Sequence, residues 1–290
     1  MMTIMTAVPQ GVLYVATGAK YVAEVALSLR SLRDVHPTLP CALVTDRPGE
    51  APPGFDVVTS LESPFFDCRD KVRGLMLTPF ERTLFMDTDT HVCGPIDDAF
   101  PLLDRFELAA RHEGGRTAYP SDACPEGFAE YNAGVILYRR SPRVMGFLAS
   151  WLARYQEQMR RSQPPPHDAP SFRESLWQSD LQIYTLSSEY NFLAWIPQFM
   201  PGERQARILH GRRPDFPQVG SWINRCDRPR VFVPSLLFVH EGTLGVLTPR
   251  GRRLMRWVTA LIRLVEPLVR RSRSPRAIDP YARPPRSTDG

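Results

Sequence analysis

An α/β fold with a mostly parallel sheet and helices on both faces is what the sequence predicts, and three observations carry that expectation. Short apolar runs such as 11–17 and 41–45 have the length and composition of strands buried on both faces. Amphipathic stretches alternate with them: in 19–33, Tyr21, Val22, Val25, Ala26, Leu29 and Leu32 recur at helical spacing. Finally, the first 90 residues read in the order βαβ(β)αβ, and helical crossovers of that kind join parallel strands.

Taken in order, the strand at 11–17 is followed by the helix at 19–33 and a strand at 41–45 that ends in Asp46-Arg47-Pro48. Residues 55–58 read as a third strand, 71–77 as a helix and 83–86 as a strand stopping at Asp87. Strands are expected at 106–110 and 133–138, on either side of a polar, Gly- and Pro-containing loop (113–130), and a helix at 142–161. The run 162–170, with Pro164, Pro165, Pro166 and Pro170, is a breaker. Ser171 and Glu174 then form a capping-box pattern that predicts a helix to about Leu186. Short strands are expected at 192–195, 207–210 and 231–240.

The net charge of +5 invites a nucleic-acid partner, but its distribution argues against one. Residues 250–290 contain eleven arginines against Glu266, Asp279 and Asp289, so the remaining body carries a net charge of −3. Five cysteines without a CxxC pair fit neither a disulfide framework nor a structural zinc site, and point to a reducing, cytoplasmic setting. No apolar run is long enough to cross a membrane. Lysine is scarce, with only Lys20 and Lys71 in the chain, so either stands out where it falls near a site.

The most informative string is Thr83-Leu84-Phe85-Met86-Asp87-Thr88-Asp89, an apolar strand running into an Asp-x-Asp. Carboxylates at the carboxyl end of a sheet strand lie where open α/β folds bind ligands. Next to apolar sequence they need a cation, and oxygen ligands suit Mg²⁺ or Mn²⁺, which can bridge and neutralise a diphosphate.

The stretch 71–90 resembles the metal-binding region of GT-A fold glycosyltransferases, in particular glycosyltransferase family 8, the group of glycogenin and bacterial lipooligosaccharide galactosyltransferases. Further strings match in order: Thr17-Gly18-Ala19-Lys20-Tyr21 after the first strand, Asn132-Ala133-Gly134 before an apolar run, and Ile208-Leu209-His210-Gly211. The resemblance implies a nucleotide-binding half (11–90) and a sugar and acceptor half (91–249). It implies that Asp87, Asp89 and His210 hold Mn²⁺ or Mg²⁺, with His240 as the alternative histidine. Thr17 and Tyr21 would contact a uracil base, with packing in the core as the lesser alternative for Tyr21. Lys71, Arg82, Thr88 and Gly211 would line the donor phosphates, and Asn132 and Asp180 would position the sugar. The implied activity is transfer of a hexose-type sugar from a UDP-sugar donor to a glycan, lipid-linked or small-molecule acceptor, with retention of configuration. This chain departs from the family in having Leu181 where a glutamine follows the aspartate, and in lacking the Lys-Pro-Trp after His210-Gly211, for which Arg212 or Arg213 could substitute. A phosphatase of haloacid-dehalogenase type also carries Asp-x-Asp after an apolar strand, but wants Thr or Val where His91 stands. A catalytically silent sugar-nucleotide or membrane-binding module is the non-enzymatic alternative.

In 250–273, Leu254, Trp257, Val258, Leu261, Val265 and Leu268 recur at 3–4 spacing beside a stripe of arginines, the pattern of a basic amphipathic helix. It either docks on the protein's own core or lies on an anionic membrane, which would place the protein peripherally at the inner membrane face. Residues 274–290 read as a disordered tail.

Overall fold

The computed structural model describes residues 8–115, 123–161, 167–225, 227–234 and 238–241, with 257–258, 260–261 and 264 beyond them. The tail at 274–290 and most of 250–273 lie outside the described residues. By its internal contacts the chain divides into Met1–His240 and Glu241–Gly290.

The first unit opens with β1 (Val8–Ala16), α1 (Ala19–Val35), β2 (Cys41–Thr45), β3 (Val57–Ser60), α2 (Cys68–Met76) and β4 (Phe80–Met86). Short β5 (Thr90–Val92) precedes β6 (Leu108–His112) and β7 (Tyr131–Arg139). Two helices follow, α3 (Pro142–Arg161) and α4 (Asp168–Trp177). Then come β8 (Ile183–Thr185), β9 (Phe192–Leu193), β10 (Gln198–Met200), β11 (Ile208–His210), α5 (Phe216–Asn224), β12 (Arg230–Val233) and β13 (Phe238–Glu241).

The central sheet has seven strands in the order β3-β2-β1-β4-β7-β6-β8. Its β3-β2-β1-β4 half is parallel throughout; β7 is antiparallel to both β4 and β6, and β8 is parallel to β6. This is the α/β architecture expected from the sequence, a mostly parallel central sheet flanked by helices. Alternating residues of β1 feed two cores. Val12, Tyr14 and Ala16 pack with Val25, Leu29 and Leu32 of α1, while Leu13 packs on the other side with Val72 and Leu75 of α2 and Trp151 of α3. A smaller core joins β9 to α5 through Phe192, Leu209, Val219 and Ile223.

Strand order reverses between β1 and β4: the chain moves outward from β1 through β2 to β3, then returns to the far side of β1. The carboxyl ends of β1 and β4 therefore flank a topological switch point, where ligand crevices form in such sheets. Thr17 follows the first of these strands and Asp87 the second.

One helix differs from expectation. The capping-box pattern at Ser171 and Glu174 predicted a helix to 186, but α4 spans Asp168–Trp177 and 183–185 is a strand. Ser171 caps nothing: its hydroxyl donates to the carbonyl of Asp168 and accepts from the indole of fully buried Trp151. Pro170 lies in the first turn, where its missing N–H is harmless.

α2 crosses β1 at Gly74, where a Cβ would stand 2.4 Å from a methyl of Val15. Replacing Gly74 by Ala is expected to destabilise the protein by about 1–3 kcal/mol, outweighing alanine's better helix propensity. A lower denaturant midpoint in urea unfolding checks this; an unchanged or higher midpoint contradicts it.

Candidate active site

β4 delivers Asp87 at the switch point, where its amide donates to the carbonyl of Gly134 on neighbouring β7 (2.7 Å). Thr90 closes the turn by donating its hydroxyl to the Asp87 carbonyl (2.8 Å). The chain then enters β5, which pairs antiparallel with β11 so that His210 stands opposite Thr90. Register alone thus returns a histidine to the aspartate pair. Gly211, at φ +132°, donates its amide to the carbonyl of Asp89 (2.9 Å) and ties the far side of the turn.

His210 Nε2 lies 3.4 Å from a carboxylate oxygen of Asp89 and 3.8 Å from one of Asp87. One ligand atom from each of the three residues falls within 4.8 Å of the others. The ring of His210 is seated on the α-carbon of Gly134: a Cβ there would stand 2.0 Å from Cε1. The Asn-Ala-Gly string is thereby explained in part, since only glycine leaves room for the ring. Trp195 meets the ring edge-on.

Positive charge surrounds the pair. Lys71, projecting from α2, places Nζ 3.0 Å from Asp87 and 2.9 Å from Asp168, the first residue of α4. Arg212 reaches to 3.7 Å from Asp89. Burial, opposed by Lys71 and reinforced by Asp89, leaves the Asp87 carboxyl above the usual carboxylate range. Burial would raise Asp89 too, but His210 and Arg212 outweigh it and hold that carboxyl at about 2. His210 is raised because the two carboxylates overcome the cost of burying its charge, and Lys71 is raised because Asp168 and Asp87 do the same.

The nucleotide-side turn is equally organised. Gly18, at φ +81°, donates its amide to Asp46 at 2.8 Å. Thr17 donates its hydroxyl to buried Asp70 (3.0 Å), whose carboxylate also accepts the amides of Phe65 and Phe66. Phe66, held at φ +58°, leaves its ring exposed beside Gly18. Tyr21 is half-buried against the core, with the Arg212 guanidinium 5.6 Å over its ring.

Of the residues singled out in the sequence, Asp87, Asp89, His210, Gly211 and Lys71 are brought together, and Thr17 and Tyr21 lie at the adjoining turn. Thr88 is a strut: its hydroxyl donates to Glu24 of α1, which also accepts from Arg212 at 3.0 Å. Between the two candidate arginines, Arg212 faces the pair while Arg213 is engaged with Asp215. Asn132 is buried and turned toward Glu113 and Asn191. The His240 side chain lies outside the described part.

Two residues are not brought to the site. Arg82 sits near the start of β4, paired with Asp104 at 2.5 Å, some five strand residues or about 16 Å from Asp87. Asp180 lies beyond the end of α4, its carbonyl accepting from Arg143. A ten-residue helix is about 15 Å long, so Asp180 is at the far end from Lys71. The aspartate at the site is Asp168. Sequence reasoning missed it because the capping-box pattern set the helix start three residues too late; Glu24, Asp70 and Asn191 were missed because nothing local marks them.

No family model matches this chain, and no curated protein does. Among solved structures, the chain is similar to the glycosyltransferase GlyE of Streptococcus pneumoniae TIGR4, with 19% identity and a TM-score of 0.51 over 71% of this chain. The match covers 56% of GlyE, a little over half its length. It shows a shared fold.

Lys71 is the charge that keeps Asp87 and Asp168 compatible. Lys71→Met is expected to lower stability at neutral pH by about 3 kcal/mol, because two buried carboxylates lose their counter-ion. The deficit shrinks toward pH 4, where the Asp87 carboxylate, no longer held down by Lys71, takes up its proton more readily than in the wild type. Urea unfolding across pH checks both; a deficit independent of pH contradicts the charge-balance account.

Proposed function

We propose that this protein is a metal-dependent glycosyltransferase that moves a hexose-type sugar from a UDP-sugar donor to a glycan, lipid-linked or small-molecule acceptor. The observation that carries the reading is the Asp87–Asp89–His210 cluster at the switch point of a sheet shared with a glycosyltransferase. Two hard oxygen donors and one imidazole, clustered within reach of one ion, fit Mn²⁺ or Mg²⁺. When bound, such a cation stabilises the charge that develops on the departing diphosphate.

The chain's own residues supply the rest. Thr17 and Tyr21, with Phe66 beside them, offer a turn for the uracil ring. Arg212 sits between Tyr21 and Asp89, where it can swing from the aromatic face onto a phosphate. Lys71 adds charge behind the diphosphate. Asp168 takes the part that the family resemblance gave to Asp180, orienting sugar hydroxyls from the floor of the site. Retention is the favoured outcome, with the incoming hydroxyl attacking on the side of the leaving group, so no separate base is assigned. The phosphatase alternative loses support from topology, because its Asp pair belongs on the first strand and here it follows the fourth.

Incubation with UDP-glucose, UDP-galactose and their N-acetyl forms in the presence of Mn²⁺ is expected to release UDP from at least one of them. EDTA abolishes the release, and Asp89→Ala lowers it by about 100-fold or more. Absence of metal-dependent UDP release from every donor contradicts the proposal.

No helix among the described residues is long and apolar enough to cross a membrane. Within the second unit, the helical residues Trp257, Leu261 and Leu264 expose their side chains in a segment rich in arginine. The spacing of apolar residues and arginines in 250–273 supports the reading that this segment lies on an anionic membrane surface. The full chain is expected to sediment with vesicles containing anionic phosphatidylglycerol and to be released by Leu261→Glu; equal sedimentation of both proteins contradicts it.

A further inference from the structure

The residue behind His210 has no role in the sugar chemistry outlined above, yet Asn191 is fully buried and both ends of its side-chain amide are engaged. It forms the middle of a chain of hydrogen bonds whose direction can be read from its ends. At the far end the Glu113 carboxylate can only accept, so the group of Asn132 that faces it at 2.6 Å is the amide nitrogen. The backbone N–H of Gly134 independently fixes the same orientation by donating to Asn132 Oδ1 (2.9 Å). That oxygen also accepts from Asn191 Nδ2 (2.8 Å), which turns Asn191 Oδ1 toward His210 Nδ1 at 2.9 Å. An amide oxygen has no proton to give, so the proton between them belongs to Nδ1. The backbone of Asn191 is held as well, its carbonyl accepting from Arg111 at 2.6 Å.

We propose that Asn191, oriented through Asn132 by Glu113 and Gly134, is the positioning residue that keeps a proton on His210 Nδ1 and so makes Nε2 the metal-facing nitrogen. The proposal rests on the metal site proposed above and deepens it: Asn132 serves the histidine rather than the donor sugar. Metal-bound histidines donate their second N–H to such an outer partner, and losing the partner typically weakens metal binding 10- to 100-fold. The direction of this relay is set by a charged acceptor and a backbone donor, so neither amide can reverse without breaking a buried hydrogen bond.

The test uses the full chain with Asn191→Leu, which removes the acceptor at similar volume, and Asn191→Asp, which keeps one. Mn²⁺ affinity by titration calorimetry is expected to fall at least tenfold in Asn191→Leu and to fall less in Asn191→Asp, which keeps the acceptor for Nδ1 but loses the donor to Asn132. In the metal-free protein at neutral pH, a proton–nitrogen NMR spectrum is expected to show a slowly exchanging His210 Nδ1 proton in wild type and Asn191→Asp, and none in Asn191→Leu. A wild-type ring without a proton on Nδ1 overturns the proposal, as does Asn191→Leu binding Mn²⁺ within twofold of wild type. If Asn191→Leu fails to fold, Asn191→Ser, too short to reach either partner, is measured in its place. Should the wild type bind no Mn²⁺, the proposed function falls, while the metal-free spectrum still decides the relay.

Discussion

Two carboxylates at the end of an apolar strand set the conditions for everything around them. β4 is buried along most of its length, and Asp87 and Asp89 follow directly at its carboxyl end in the middle of the sheet. Negative charge drawn out of water is costly unless neutralised nearby. Lys71, His210 and Arg212 are the chain's answer, the first from α2 and the other two from the end of β11 and the residue after Gly211. Asp168 and Glu24 add acid to the same neighbourhood, in contact with Lys71 and Arg212. These ion pairs pin the elements together at the switch point, yet they leave a concentration of acidic groups that a divalent cation would complete.

The same constraint explains several residue choices that look unrelated in sequence. Gly134 is required because the His210 ring lies on its α-carbon. Thr90 and Gly211 hold the two ends of the turn through the carbonyls of Asp87 and Asp89. Thr88, although enclosed by the two aspartates in sequence, faces away from the pocket and fastens the turn to α1 through Glu24. The Asp87–Asp89 turn is therefore braced from α1, β7 and β11, which limits how far its carboxylates can move when a ligand arrives.

Much of this was legible in the sequence, for identifiable reasons. Most of the parallel half of the sheet could be read because β1, β2 and β4 are largely buried and contain short apolar runs. The Asp-x-Asp stood out because charge rarely follows such a run. His210 was singled out because Ile208-Leu209-His210-Gly211, at the end of a short apolar run, resembles the family segment that carries a metal-binding histidine. Asp168 was not found, since its importance comes from where α4 docks on α3 and β7, which brings it to Lys71, and the local pattern favoured a later helix start. Asn191 was invisible for a related reason: a buried amide reveals itself only through partners 19 and 59 residues away. Arg82 illustrates the opposite error, a basic residue close to the motif in sequence that the length of one strand carries out of reach.

The most direct test of the account is a crystal structure of the protein grown with Mn²⁺ and UDP, using the anomalous signal of manganese to place the ion. The account predicts one strong peak coordinated by carboxylate oxygens of Asp87 and Asp89 and by Nε2 of His210, in contact with the diphosphate. A peak elsewhere in the molecule, or a diphosphate bound with no manganese between these three residues, would contradict it.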